Sequence, residues 1–102
     1  MLTLPIKQKW FDMIVSGEKL EEYRAMTDYW RKRFVSELVR QGKQRGFNGL
    51  KVRIRAGYRK NADMAELTLS MITQGTGRPE WGAEPGVEYF VLHIKRVEVL
   101  KE

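Results

Sequence analysis

The sequence predicts an α+β fold: a small, strongly curved mixed sheet or barrel with two main helices packed against it. Three observations predict it. Alternating apolar and polar residues recur at 2–6, 50–56 and 65–71, the period of strands with one buried face, and 88–100 reads as a long closing strand. Apolar residues at helical spacing occur in two stretches, residues 7–16 and a longer run from Thr27 or Asp28 to Gly42. At 102 residues, with no repeats and no low-complexity tract, the chain suits one domain with one modest core.

Each element follows from its own residues. Leu2, Leu4 and Ile6 alternate with Thr3 and Pro5, and Pro5, lacking an amide hydrogen, belongs at a sheet edge or strand end. Trp10, Met13 and Ile14 make the apolar stripe of the first helix, with Trp10 expected in the core. Gly17 stands where a helix-ending glycine belongs, because a residue without Cβ turns left-handed at no steric cost. Thr27 or Asp28 supplies an oxygen for the free amides of the second helix's first turn. Trp30, Phe34 and Leu38 recur every four residues as its buried stripe, and Gly42 marks its end. Residues 43–49 read as a basic, glycine-rich connection.

Residues 50–56 and 65–71 form the clearest pair of strands, an antiparallel hairpin around the turn at 57–61. Lys51, Arg53 and Arg55 share one face of the first of these strands. Three like charges on one face repel, so that face is hydrated or meets anions; Glu66 stands to oppose one of the arginines. Residues 75–86 hold four glycines and two prolines, which specify a shaped loop, with Trp81 at its middle and Arg78, Glu80 and Glu84 around it. Residues 88–100 close the chain as one long strand, or as two joined by a bend near Arg96. His93 lies there in register with Tyr89 and Val91, as a packing residue.

Composition excludes several function classes. Cysteine is absent, which excludes thiol chemistry, and the single histidine is too little for a zinc site of His and Cys; the carboxylates leave oxygen-ligand magnesium open, but no metal and no cofactor is expected. No apolar run approaches the roughly 18–20 residues that span a membrane, and no basic start with a long apolar stretch marks a secretory leader. A cytoplasmic protein without membrane partners is the expectation. The fingerprints of P-loop, dinucleotide-binding and serine-hydrolase sites are missing. The net charge of +6 favours polyanionic partners, nucleic acid first.

The chemistry concentrates in the stretch from Gly17 to Arg24, where Lys19, Glu21, Glu22 and Arg24 crowd behind the end of the first helix. A core has no use for that density of charge, so the segment either lies on the surface or lines a cleft. Strand alternation puts Glu22 and Arg24 on one face, where they pair, with Glu22 orienting Arg24 toward an anion or a base edge. The alternative for that pair is a structural bridge closing the barrel. The anions around Lys19 favour its charged form, so it reads as an exposed anion clamp or hydrogen-bond donor whose loss leaves stability nearly unchanged; desolvation in a closed cleft, or Arg24 close by, would reverse that. Lys7, Tyr58, Arg59, Glu80 and Trp81 complete the candidate ligand set. Trp81 either stacks on a base or plugs the end of the barrel. Lys51, Arg53 and Arg55 form a candidate nucleic-acid surface.

The run from Leu4 to Lys7, continuing through Met13–Arg24, resembles the ASCH domain, named for homology to an activating signal cointegrator. That family opens with a strand, a helix and a Gly-x-Lys-x-x-Glu/Thr-x-Arg segment, here Gly17, Lys19, Glu22 and Arg24. The loop Arg78-Pro79-Glu80-Trp81-Gly82 before a final strand is similar to small stand-alone members from bacteria and phages. The resemblance implies one ASCH domain over residues 1–102, folded as a PUA-like barrel, with RNA or a nucleotide-like ligand in its cleft. One branch of the family hydrolyses acetylcytidine with Lys, Thr and Glu. Lys19 matches, Glu22 stands at the threonine position, and the glutamate is Glu80 or Glu84. Another branch is ribonucleases. RNA or nucleotide binding is therefore the first expectation, an enzyme with Lys19 and Glu22 in its catalytic set the second, and a protein-interaction accessory module the third.

Overall fold

The computed structural model describes residues 1–43 and 47–100. Its elements run β1 (Thr3–Ile6), α1 (Gln8–Val15), β2 (Glu21–Ala25), α2 (Asp28–Arg40), β3 (Lys51–Ala56), β4 (Met64–Thr76), a single 3₁₀ turn (Pro79–Trp81) and β5 (Glu88–Leu100). Part of the basic connection at 43–49 lies outside the described residues.

The five strands form one mixed sheet in the order β1-β3-β4-β5-β2. β3 and β4 pair antiparallel as expected, with Arg53 opposite Glu66; β4 and β5 pair along nearly their whole lengths. β1 joins β3 in parallel and β2 joins β5 antiparallel. β5 is continuous, but its register with β4 shifts around Ser70 and Lys95, which lack partners across the pair. Such irregularities bend and twist a sheet.

The order leaves β1 and β2 as the two edges. A closed barrel needs a backbone ladder between them, and none is present, so the barrel expectation is corrected to an open mixed sheet. Pro5 brings no amide hydrogen to that seam. A side chain crosses it instead: Arg24 on β2 donates from Nη2 to the carbonyl of Pro5 on β1, at 2.9 Å.

Leu4, Ile54, Val52, Ala65, Leu67, Leu69 and Leu92 line the core side of the sheet, with Phe11 and Ile14 of α1 and Phe34 of α2 packed on them. Phe34 meets Phe90 edge to face, with ring centroids 5.6 Å apart. Thr27 caps α2, its hydroxyl accepting from the Trp30 amide at 3.3 Å. The α2 stripe also contains Glu37, buried at 3 % exposure. Gln41 satisfies it with a 2.8 Å hydrogen bond and also pairs with both backbone groups of Lys51, continuing the β3 ladder with a side-chain amide.

Candidate functional site

Gly17, at φ 86°, ends α1 and turns the chain, and the Lys19 amide then donates back to the Met13 carbonyl at 2.9 Å. The turn aims Lys19 inward. Its side chain is fully buried, which corrects the expectation of an exposed cleft lysine. The ammonium donates to the Glu21 carbonyl, pairs with Glu22 Oε1 at 3.0 Å, and sits 4.8 Å from the Tyr23 ring centre and 5.8 Å from Trp10. Glu22 Oε2 pairs with Arg24 Nη1 at 2.6 Å, so one buried carboxylate bridges two cations. Arg24 also donates to the carbonyl of Tyr23 at 2.7 Å and lies 5.4 Å from the Trp30 ring.

Burial pulls the Lys19 pKa below its ordinary 10.5, because an ammonium out of water loses hydration. Glu22 opposes that shift and Arg24 reinforces it. Glu22 and Arg24 share the core-side face of β2, as alternation requires, and their pair stands at the seam between the sheet edges.

The other face of β2 belongs to Tyr23. Its hydroxyl donates to Glu21 Oε1 at 2.8 Å and accepts from the Arg78 amide at 2.9 Å. Burial is the main cause that raises its pKa, partly offset by the Arg78 amide. That bond docks the late loop, and the loop backbone comes so near that a Cβ on Gly77 would lie 2.6 Å from the Tyr23 ring. At Gly82, with φ 101°, a Cβ would lie 3.1 Å from the indole of Trp10. Gly77 permits an approach that a Cβ would block, and Gly82 holds a left-handed turn that larger residues adopt only with strain.

Together these elements line an open cavity of about 220 Å³ at the seam. Trp10, Tyr23, Trp81 and Tyr89 supply aromatic wall, and Glu22, Arg24 and Lys7 supply charge. Lys19 is not in its lining but lies behind Glu22, holding it from the interior. Trp81 enters from the late loop as expected. Glu80 does not: it is 61 % exposed and faces Arg78 at 3.8 Å, and Glu84 is also exposed. The loop itself starts only at Gly77, since Gly75 and Thr76 belong to β4. Lys7, Tyr58 and Arg59 line a neighbouring hollow of about 460 Å³.

The proposed cation row on β3 is largely spoken for. Lys51 faces Glu66 at 3.5 Å, Arg55 donates to the carbonyls of Gly57, Tyr58 and Arg59, and Arg53 is half-buried. It is therefore not a free cationic stripe. His93 packs between strands, its Nε2 2.8 Å from Thr73 Oγ1 and its Nδ1 3.6 Å from Glu21. Among the described residues no group of three His, Cys, Asp or Glu is placed to hold a metal ion, and no helix is long and apolar enough to cross a membrane.

Sequence reasoning missed Tyr89, Tyr23 and Trp10 as cavity wall. The signal was present for one of them: Tyr23 lies inside the charged segment, flanked by Glu22 and Arg24. Fold and site together define a small α+β domain with an aromatic-walled cavity, carrying Glu22, Arg24 and Lys7, at the open seam between its two sheet edges. Against protein-family models, curated proteins and solved structures, the chain finds no match.

Proposed function

We propose that the protein is an RNA- or nucleotide-binding domain of the ASCH type, with a PUA-like arrangement of its sheet and a base received in the aromatic cavity at the seam. The observation that carries this reading is the combination of wall and charge. Four aromatic residues line an open space of about 220 Å³ that also presents one carboxylate and two cations. Aromatic faces take any nucleobase by stacking, a carboxylate accepts from base N–H groups, and cations meet phosphate. The space is smaller than the roughly 300 Å³ at which drug-sized pockets begin, so it suits one planar ring system. The motif residues divide the work: Arg24 ties the seam, Glu22 faces the ligand, and Lys19 fixes Glu22 from behind.

An enzyme on the same scaffold, whether ribonuclease or amidohydrolase, is the second reading. A lysine whose pKa is lowered by burial, 3.0 Å from a carboxylate, is a pair that functional sites use. Weighing against it, Lys19 has no face on the cavity, and neither Glu80 nor Glu84 approaches it. Binding is therefore the favoured function.

The test is titration of the protein with nucleosides, nucleotides and short single-stranded RNA, followed by tryptophan fluorescence. Trp81→Ala is expected to weaken binding about tenfold, the scale of one base–aromatic stack. Equal affinity of wild type and variant would remove the cavity from the reading.

A further inference from the structure

Pro5, Ile6 and Lys7 line both the aromatic cavity and the larger hollow of about 460 Å³ beside it. The hollow's far wall is the loop after β3, formed by Gly57, Tyr58 and Arg59. Tyr58 is 84 % exposed, the most exposed large hydrophobic side chain among the described residues. Exposed aromatics usually ride on slack loops, but this loop is anchored from two sides. The Gly57 amide, on a residue with φ 86°, donates to the Ile6 carbonyl of β1 at 3.1 Å. From β3, Arg55 donates to three successive loop carbonyls: Gly57 at 3.1 Å, Tyr58 at 3.4 Å, and Arg59.

An arginine fork spent on three carbonyls of one turn fixes that turn's shape, so the ring it carries is presented at low ordering cost. The same turn adds Arg59, and Lys7 stands on the wall common to both spaces.

We propose that this hollow is a second nucleotide subsite, in which Tyr58 stacks the base adjacent to the one in the aromatic cavity while Lys7 meets the phosphate between them. The ligand is then a single strand of at least two nucleotides, not a free nucleoside. The inference rests on the base-binding reading of the cavity and extends it along the strand. Arg55 acts here as a positioning residue, holding the turn without touching the ligand. Its use inside the fold also explains why it is not part of a free cationic face.

The experiment compares each of the four ribonucleosides with its homodinucleotide by isothermal titration of the full chain, in wild type, Tyr58→Ala, Tyr58→Phe and Trp81→Ala. Wild type is expected to bind at least one dinucleotide about tenfold more tightly than the matching nucleoside, the yield of one added stack. Tyr58→Ala should erase that ratio and Tyr58→Phe should keep it. Trp81→Ala should weaken both ligands and leave the ratio standing. A ratio unchanged in Tyr58→Ala, with Trp81→Ala still weakening both ligands, overturns the second subsite and leaves the cavity reading intact. If Trp81→Ala weakens neither ligand, the cavity reading fails and the second subsite fails with it.

Discussion

Neutralising Glu22 should be far more damaging than removing the lysine it faces. Glu22 bridges Lys19 at 3.0 Å and Arg24 at 2.6 Å, with side-chain exposures of 7 % for Glu22, 0 % for Lys19 and 13 % for Arg24. At an effective dielectric of about 20, those separations correspond to gross attractions of roughly 5 and 6 kcal/mol, before several kcal/mol per ion of lost hydration are subtracted. Glu22→Gln removes both attractions at once. Its amide also turns a donor toward one of two cations that themselves only donate, leaving like charges facing each other in the interior. The expected cost is about 3–5 kcal/mol, the range for breaking a buried pair by removing one partner. In a domain of this size that is a fall of roughly 12–40 °C in Tm. Lys19→Met keeps the Glu22–Arg24 pair, removes one desolvated cation, and places a flexible apolar chain against Trp10 and Tyr23. It should cost less than about 2 kcal/mol. Urea unfolding followed by circular dichroism measures both, with the m-value checked for constancy. A Glu22→Gln loss no larger than that of Lys19→Met would refute the reasoning, since the carboxylate would then not be what holds the two cations.

Three further outcomes are expected. First, the stability difference between wild type and Lys19→Met should move in favour of wild type as pH rises toward 10.5. The folded lysine's pKa lies below that value, so in this window the unfolded chain holds a proton that the folded chain has released, and stability rises with pH. Tyr23 works in the opposite sense above pH 10, its raised folded pKa withdrawing stability as pH climbs, so the comparison belongs below that point. Second, Gly77→Ala should cost about 1–3 kcal/mol in urea unfolding, because its Cβ would fall 2.6 Å from Tyr23 and 2.7 Å from Ala83, whereas Gly75→Ala meets nothing within 4 Å and should be close to neutral. Third, if Lys7 and Arg59 meet two phosphates, log affinity for single-stranded RNA should fall with log salt at a slope near −1.4, about sevenfold between 50 and 200 mM. A flat salt profile would exclude those phosphate contacts.

Much of the fold was legible because period and turn chemistry are local. The β3–β4 hairpin, the Thr27 cap and the helix stop at Gly17 all follow from residues within a few positions of one another. The Glu22–Arg24 pair was legible for the same reason, since alternate strand residues share a face. What escaped was set by distance along the chain. The open seam depends on Pro5 meeting Arg24, 19 residues apart, and on an edge strand that has no amide to give there. Lys19 read as exposed because its charged neighbours are visible in the sequence, whereas Trp10 and Tyr23, which seal it, close over it only in the fold. Glu80 sits beside Trp81 in sequence, yet the 3₁₀ turn from Pro79 to Trp81 sends one inward and the other to solvent. Arg55 read as a nucleic-acid contact because a strand pattern shows which face a side chain takes, not that it bends back onto the next turn's carbonyls.

The three tryptophans supply the most direct test of base binding at the seam. Trp10 and Trp81 line the cavity, and Trp30 packs against Phe34 in the core, with ring centroids 5.8 Å apart. In a titration of the ¹⁵N-labelled protein with single-stranded RNA, the indole N–H resonances of Trp10 and Trp81 should shift together and saturably, with Trp30 moving least. Saturable binding that leaves the Trp10 and Trp81 indoles in place would contradict base binding in this cavity.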